Sequence, residues 1–273
     1  MKLFTFGDSW TEGVGGNLKE EYTTDIPENR TIIRQKYCWP KHLSDLFACK
    51  FINNGVGAFS NNAIFNAVCS QLKNEIITKD DFVVIMWSSS LRDPLPFFPN
   101  LDDFFIWGER YKSKGHILKY IFDGFTGNNL NYNNAEKKFR NYYISNLFND
   151  IYYDILNQNY IIHLQFILNE LGIRYVFCDG FDTMITKNIN PSVDKTDFID
   201  KNRYWGYQTK TMADLLINTN RKDVWEDNQL WSSEQSGKHP SDNGYKLIAN
   251  ELFKFINDNN LLNHIESKKI YLI

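Results

Sequence analysis

The chain has 273 residues, of which 42% are hydrophobic and 16% aromatic, enough to bury the core of one large domain or two small ones. Its formal net charge is -3 at pH 7 and its pI is near 6.0, so no excess of positive charge indicates nucleic acid as a partner. The 4 cysteines are widely spaced and match no zinc or redox motif.

The beginning of the sequence shows no pattern of a secretory signal. Residues 1–4 lead directly into an apolar strand pattern, without a cationic segment or a long apolar stretch. No run in the chain approaches the ~18 apolar residues that a membrane-spanning helix needs. We therefore expect a cytoplasmic protein with no membrane partner.

The first third of the chain alternates strand and helix patterns. Strands are predicted at 3–6, 49–53 and 82–87, and helices at 39–47 and 61–77. The third strand is an unbroken apolar run, which is typical of a central parallel strand buried on both faces. Residues 14–34 are polar and predict a loop. This order indicates a doubly wound α/β sheet.

The rest of the chain alternates regular and irregular segments. The regular ones are a helix over 151–171 ended by Gly172, a strand over 173–178, helices over 211–217 and from Ser241 onward, and a terminal edge strand over 268–273. We predict a single domain spanning 1–273, with insertions at about 95–145 and 188–230. The first of these insertions is rich in aromatic residues.

The first predicted strand runs into the polar heptapeptide Gly7-Asp8-Ser9-Trp10-Thr11-Glu12-Gly13. An α/β sheet tends to place its chemistry just past the carboxyl ends of its strands, and a helix beginning here would bring backbone amides near the Ser9 hydroxyl. A simpler interpretation is that Asp8 and Ser9 only cap that helix. A serine also needs a base and oxyanion donors to act as a nucleophile, so the heptapeptide supplies half of a site.

One of the five histidines stands where a catalytic base would be expected. The other four lie in helical patterns, in the first insertion or near the C-terminus: His42, His163, His116 and His264. His239 lies in a turn just before the last helix, from which its side chain could reach across the strand ends. The same turn could instead be a helix start capped by Ser241 or Asp242.

Together, the heptapeptide and His239-Pro240-Ser241-Asp242-Asn243-Gly244-Tyr245 resemble the motifs of the SGNH/GDSL hydrolase family. The resemblance covers nearly the whole chain. It implies an α/β fold, a three-layer flavodoxin-like sandwich with a mostly parallel sheet, here carrying the aromatic-rich insertion. It also implies an ester hydrolase without cofactor or metal, since the family consists mostly of esterases, lipases, thioesterases and carbohydrate acetylesterases.

Carried over to this sequence, the resemblance makes Ser9 the nucleophile and His239 the general base. The backbone amide of Ser9 would be one oxyanion-hole donor. A second amide would come from the loop after the second strand, where both Gly57 and Ala58 remain open. The family's third donor is an Asn after the third strand, and Ser89 occupies that position here. Arg92 is the alternative donor.

The group that orients the histidine also differs from the family pattern, because Ser236 stands where the family has Asp. Glu226, Asp227 or Glu234 could replace that Asp, a backbone carbonyl could orient the ring, or the site could be a Ser–His dyad. Losing an oxyanion donor typically costs about 10²–10³ in rate, and losing the orienting carboxylate costs about 10⁴. Both departures predict reduced activity.

The sequence thus predicts a serine hydrolase that forms an acyl-enzyme on Ser9 and acts on a small-molecule or glycan ester. An acetyl ester on a carbohydrate is the narrower hypothesis, since the aromatic insertion could stack against sugars. One alternative is an acyltransferase that uses the same site. Another is a catalytically weak module with this fold that binds glycans through one or more tryptophans. Its candidate residues are Trp87, Trp107, Trp205 and Trp225. The sequence does not indicate an oligomeric state.

Overall fold

A computed structural model describes most of the chain's regular structure. It describes residues 1–24, 26–57, 59–89, 94–96, 118–120, 138, 142, 146, 150–181, 194–219, 222–225 and 239–263. Among the helices in these ranges, none has both the length and the apolar character to cross a membrane.

The predicted strands at 3–6, 49–53, 82–87 and 173–178 are all present, with further elements between them. The strands are β1 (Lys2–Gly7), β2 (Lys50–Gly55), β3 (Phe82–Trp87), β4 (Pro94–Pro96), β5 (Leu118–Tyr120), β6 (Arg174–Asp179) and β7 (Tyr204–Trp205). The helices are α1 (Ser9–Glu12), α2 (Leu18–Glu21), α3 (Pro27–Tyr37), α4 (Trp39–Leu46), α5 (Asn61–Lys73), α6 (Asp150–Glu170), α7 (Met212–Asn218) and α8 (Asp242–Asp258). Short 3₁₀ turns occupy Thr196–Phe198, Lys201–Arg203 and Lys222–Val224.

Within the described ranges, one five-stranded parallel sheet has the order β2-β1-β3-β6-β7. The chain steps from β1 outward to β2 and then crosses back over β1 to β3. The strand order therefore reverses at β1 and β3, and open α/β sheets bind their ligands beyond the carboxyl ends at such a point. Ser9 follows β1 directly at this position.

The core consists of two apolar layers, one on each face of the sheet. Alternate residues of β3 enter opposite layers, because successive side chains of a strand point to opposite faces. Val83, Ile85 and Trp87 pack toward α5 and α6, whereas Phe82, Val84 and Met86 pack toward α4, α7 and α8. All six side chains are buried, which explains the unbroken apolar run.

The predicted fold class is confirmed. The described chain is an α/β sandwich of three layers, with a flavodoxin-like strand order and helices on both faces of the sheet. The end of α6 also follows its prediction, since Gly172 after it has a φ of +65°, a left-handed conformation that favours glycine.

The predicted loop over residues 14–34 is wrong, because α2 and most of α3 lie there. These helices have few apolar residues and so show no clear hydrophobic period. Arg34 of α3 instead forms ion pairs with Glu12 and Glu21. The sequence also missed β7, whose two residues are too few for a recognisable alternation.

Parts of the predicted organisation are not tested. Most of the insertion at 95–145, part of that at 188–230 and the predicted strand at 268–273 lie outside the described residues. The described part of the first insertion includes β4 and β5, which pair antiparallel. The single domain with two insertions stays a prediction.

Candidate active site

Ser9 is the first residue of α1, immediately after β1 ends. Asp8 caps this helix, because its Oδ1 accepts a hydrogen bond from the Trp10 amide at 3.0 Å. Gly13 ends the helix with a φ of +98° and donates its amide to the Ser9 carbonyl at 3.1 Å. The capping interpretation of Asp8 is therefore confirmed. It is compatible with a role for Ser9, whose buried side chain is not the cap.

Two glycines allow α1 to lie directly against the ends of β1 and β2. A Cβ atom on Gly7 would lie 2.1 Å from the Thr11 side-chain oxygen, and one on Gly55 would lie 2.3 Å from the Glu12 nitrogen. Neither distance is compatible with a side chain. Gly7 and Gly55 are also register partners in the sheet. The turn that presents Ser9 therefore depends on glycine in both strands.

His239 lies opposite Ser9, and its Nε2 is 3.1 Å from Ser9 Oγ. The two residues are 230 positions apart in the chain. This distance lies within the range for a hydrogen bond and for proton transfer between a nucleophile and its base. The structure thus brings together the two residues that the sequence selected independently.

The turn that carries His239 is fixed by backbone hydrogen bonds on both sides. Pro240 forms a bridge with Trp225, and the Ser241 amide donates to the Val224 carbonyl at 2.9 Å. The Asp242 amide donates to the carbonyl of Gly16 at 3.0 Å. Of the two caps considered for α8, Ser241 is the one observed. His239 is thereby held between the start of α8 and the loop that follows α1.

The candidates for the group that orients His239 lie outside the described residues. They are Glu226, Asp227, Glu234 and Ser236. The predicted choice among them, a backbone carbonyl and a Ser–His dyad therefore remains a prediction.

The end of β3 is held by Asn61 at the start of α5. Asn61 accepts the Ser88 amide on Oδ1 at 2.8 Å and donates from Nδ2 to the Ser88 carbonyl at 3.1 Å. Its Nδ2 also lies 3.4 Å from the carbonyl of Ser89, the half-buried candidate donor. Ser88 in turn donates its hydroxyl to Asp8 Oδ2 at 2.8 Å. This network joins the ends of β1 and β3. Arg92 lies outside the described part of the chain.

The loop after β2 is held by Glu12 of the heptapeptide. Glu12 Oε2 accepts the Gly57 amide at 2.7 Å, and Glu12 Oε1 accepts Arg34 Nη1 at 2.6 Å. Arg34 Nε donates to Glu21 Oε2 at 2.9 Å. Burial would lower the pKa of Arg34, but the two carboxylates outweigh it and raise the pKa above its ordinary value. Ala58, the other candidate donor, is not among the described residues.

Two of the four tryptophans considered for glycan stacking are core residues. Trp87 is fully buried and packs edge-on against Phe177, and Trp205 is 2% exposed. Neither ring offers a face to a sugar. Trp225 is half-buried with its ring centroid 6.1 Å from that of Trp10, and Trp107 lies outside the described residues. The expectation that Trp87 and Trp205 form a sugar-binding surface is wrong, since both end buried strands.

Sequence reasoning did not identify Glu12, Asn61 and Ser88 as parts of the site. Each is a polar residue beside a strand end, a position that is common in such sites. This position alone does not distinguish a site residue from other polar residues nearby. In the described ranges, no group of three or more His, Cys, Asp and Glu side chains could hold a metal ion.

Comparisons with known proteins gave one structural likeness. No protein-family model matches the sequence, and no curated protein matches it at a significant level. The fold is similar to the solved structure of a protein from Desulfitobacterium hafniense DCB-2, which is proposed to be a lipolytic protein of the G-D-S-L family. The alignment covers 93% of this chain and 98% of the other, with 13% sequence identity and a TM-score of 0.40.

Proposed function

We propose that the protein is a serine hydrolase of ester bonds that forms an acyl-enzyme on Ser9. The observation that supports this proposal is the 3.1 Å distance between Ser9 Oγ and His239 Nε2. The pair lies beyond the end of β1, where the strand order of the sheet reverses. A serine beside a fixed histidine at this position fits nucleophilic catalysis.

The reaction proceeds in two half-reactions. His239 takes the proton of the Ser9 hydroxyl while Oγ attacks the ester carbonyl, and the carbonyl oxygen becomes an oxyanion. As the oxyanion collapses, the bond to the alkoxide breaks and His239 gives its proton to the leaving alcohol. In the second half, His239 takes a proton from water, which attacks the acyl carbon. Ser9 then leaves with the proton, and a carboxylic acid is released.

Three groups are proposed as oxyanion donors: the Ser9 amide, an amide of the loop after β2, and the Ser89 hydroxyl. The Gly57 amide is already donated to Glu12, which favours the Ala58 amide for the second position. Ser89 follows the β3 end that Asn61 holds. A neutral hydroxyl replaces the family's Asn amide at this position, so a moderate rate is expected.

The narrower proposal is that the ester is an acetyl group on a carbohydrate. The aromatic composition of residues 95–145 favours it, although the core positions of Trp87 and Trp205 remove two candidate contacts. Acetate release from acetylated sugars, compared with turnover of p-nitrophenyl esters of increasing acyl length, tests this choice. A steady rise in kcat/KM with acyl length would contradict it.

The first test is turnover of p-nitrophenyl acetate by wild type and by Ser9→Ala and His239→Ala. Each substitution should lower kcat/KM by at least about 10³, because the nucleophile and its base act as a unit. Ser70→Ala and His163→Gln are matched controls, since both side chains are exposed on helices. These two variants should keep wild-type turnover.

Two outcomes of this experiment would change the proposal. Wild-type turnover no higher than that of Ser9→Ala on a broad panel of esters would contradict it. Ser9-dependent transfer of the acyl group to an added alcohol, in preference to water, would indicate the acyltransferase. Labelling of Ser9 by a fluorophosphonate probe would support nucleophilic reactivity in either case.

A further inference from the structure

Glu12 connects the heptapeptide that contains Ser9 to the loop after β2. Its two carboxylate oxygens have different partners, the Gly57 amide at 2.7 Å and Arg34 Nη1 at 2.6 Å. Glu12 is three residues after Ser9 and on the same short helix. A movement of its side chain would therefore change the position of the loop relative to the nucleophile.

The carboxylate is itself held in place. Arg34 bridges Glu12 and Glu21, whose side chains are 16% and 3% exposed. Glu21 Oε1 accepts the Gly15 amide at 3.1 Å, so the second carboxylate is also fixed. Charge-assisted hydrogen bonds of this kind are short and geometrically specific, particularly at a planar guanidinium. The network from Gly15 to Gly57 thus forms a continuous brace.

The identity of Gly57 agrees with this contact. A Cβ atom at this position would lie 3.1 Å from Glu12 Oε2, which is closer than most Cβ contacts. Its absence lets the carboxylate approach the backbone. The loop also begins on β1, since the Val56 amide donates to the Gly7 carbonyl at 3.1 Å. Thus β1 holds the Val56 amide, and Glu12 holds the amide of the next residue, Gly57.

We infer that Glu12 is a positioning residue, whose Arg34-braced carboxylate holds the Val56–Gly57 peptide and thereby positions the loop after β2, the loop that supplies the second oxyanion donor in the proposed function. This inference rests on the proposed function. Glu12 acts through the loop backbone and not on the reacting atoms. It fixes the direction of the Val56–Gly57 peptide, because the N–H of that peptide points at the carboxylate.

Loss of this positioning should weaken binding of the transition state more than binding of the substrate. A donor that is displaced by about 1 Å stabilises the oxyanion less, while substrate binding in the ground state changes little. Loss of Glu12 should therefore lower kcat and leave KM nearly unchanged. Loss of a residue needed only for stability would lower the melting temperature without lowering kcat at a nearly unchanged KM.

The experiment compares Glu12→Ala and Glu12→Gln with wild type. Glu12→Ala should lower kcat about 10- to 100-fold, with KM within about twofold. Glu12→Gln should lose less, because its amide oxygen can still accept the Gly57 hydrogen bond. Glu20→Gln is the matched control, since Glu20 is a carboxylate of the neighbouring helix α2 that pairs with Lys36 and accepts the Tyr37 hydroxyl. It should keep the wild-type kcat.

A second measurement does not depend on turnover. In ¹⁵N-labelled protein, the Gly57 amide proton should move upfield in Glu12→Ala, because a hydrogen bond to a carboxylate shifts it downfield. The Glu20→Gln control should leave this resonance in place. If Glu12→Ala does not fold, Glu12→Gln provides the test. Its Gly57 resonance should shift less, and its kcat should fall several-fold.

Three results would overturn the inference. An active wild type with unchanged kcat in both Glu12 variants would show that the brace has no catalytic effect. A Gly57 resonance that does not move would show that the hydrogen bond is absent. A wild type without Ser9-dependent turnover would overturn the proposed function itself, and the Gly57 resonance would still distinguish this failure from loss of the brace.

Discussion

Asn61 fixes the end of β3 by using both ends of one amide group. Its oxygen accepts the Ser88 N–H and its nitrogen donates to the Ser88 carbonyl, and the side chain is buried. A neutral amide offers a donor and an acceptor at once, whereas an ionised carboxylate only accepts. Of the hydrogen bonds described above for the Asn61 amide, the two shortest, both to Ser88, determine its orientation.

Asn61→Asp is a nearly isosteric test of this arrangement. The new carboxylate places a second acceptor against the Ser88 carbonyl, so we expect a loss of about 2–4 kcal/mol in the free energy of unfolding. Urea denaturation at neutral pH measures it. At acid pH the carboxyl is protonated and can donate again, so the difference from wild type should shrink.

The control for this substitution lies on the same helix. Asn66 is exposed, and its side-chain amide donates to Asn62 Oδ1 at 2.9 Å on the same helix. Asn66→Asp should change the free energy of unfolding by less than about 0.5 kcal/mol. Equal losses in the two variants would contradict the role given to Asn61.

At the residue scale, the sequence predicts the two ends of the site better than the contacts between them. Ser9 and His239 stand in short motifs whose residues are neighbours in the chain, so they can be recognised. Ser9 Oγ and His239 Nε2 come within 3.1 Å only through the tertiary fold, which the motifs themselves do not indicate. The engagement of Gly57 by Glu12 joins residues 45 positions apart, and no local pattern indicates it. The same holds for Asn61 and Ser88.

At the scale of elements, α4 and α8 meet through a titratable pair. His42 Nε2 lies 2.8 Å from Asp242 Oδ1 at the first turn of α8, three residues after His239. Burial lowers the pKa of His42 below its ordinary value near 6.5, and the charge of Lys246 lowers it further. Asp242 and Asp45 oppose this shift without reversing it.

The free energy of unfolding should therefore depend on pH through His42. A histidine whose pKa is lowered in the folded state binds fewer protons there than in the unfolded state, so stability rises with pH. The contribution is complete above about pH 6.5 and decreases as the pH falls through the pKa of the folded state. Urea denaturation of wild type and His42→Gln between pH 5 and 8 measures it.

The His42→Gln variant should lose this part of the pH dependence. Its free energy of unfolding should change less than that of wild type between pH 7 and pH 5, because Gln does not titrate. Parallel curves for the two proteins would contradict the prediction. A wild type that gains stability relative to the variant at low pH would show a raised pKa instead.

Elements were predicted well where one residue pattern determines them. The buried run of β3 and the long apolar helix α6 depend on their own composition, so their positions were predictable. The position of helix α3 was not predictable, because it depends on two ion pairs that Arg34 forms with Glu12 and Glu21, which lie outside the helix. Such pairing is tertiary, and a polar sequence does not reveal it.

At the scale of the whole molecule, the two ends of the parallel strands differ in role. The carboxyl ends of the strands form one side of the sheet, here called the carboxyl edge, which carries Ser9 and the loops after β2 and β3. The amino ends form the opposite side, the amino edge, where Arg174 begins β6. Its Nη1 donates to the Leu262 carbonyl at 2.8 Å and its Nη2 donates to the Asp80 carbonyl at 2.6 Å. The residue thus ties the segment after α8 to the turn before β3.

Arg174→Met should separate stability from activity. Arg174 is 7% exposed, so loss of its guanidinium leaves two carbonyls without a charged donor and should cost about 2–4 kcal/mol in the free energy of unfolding. Arg174→Lys should lose nearly as much, since one ammonium cannot replace a planar fork. Lys254→Met is the control, because Lys254 is an exposed cation on α8 and its loss should leave stability nearly unchanged.

Activity of Arg174→Met should stay at the wild-type level below its melting temperature. The strand β6 has six residues, so roughly 17 Å separate its first residue from the edge where Ser9 lies. A rigid parallel sheet between the two edges leaves the distance from Ser9 to His239 unchanged when the amino edge is weakened. Measured kcat for p-nitrophenyl acetate at 20–25 °C in folded protein checks this. A fall in kcat as large as that of Glu12→Ala would show that the two edges are coupled and that stability and catalysis are not separable in this fold.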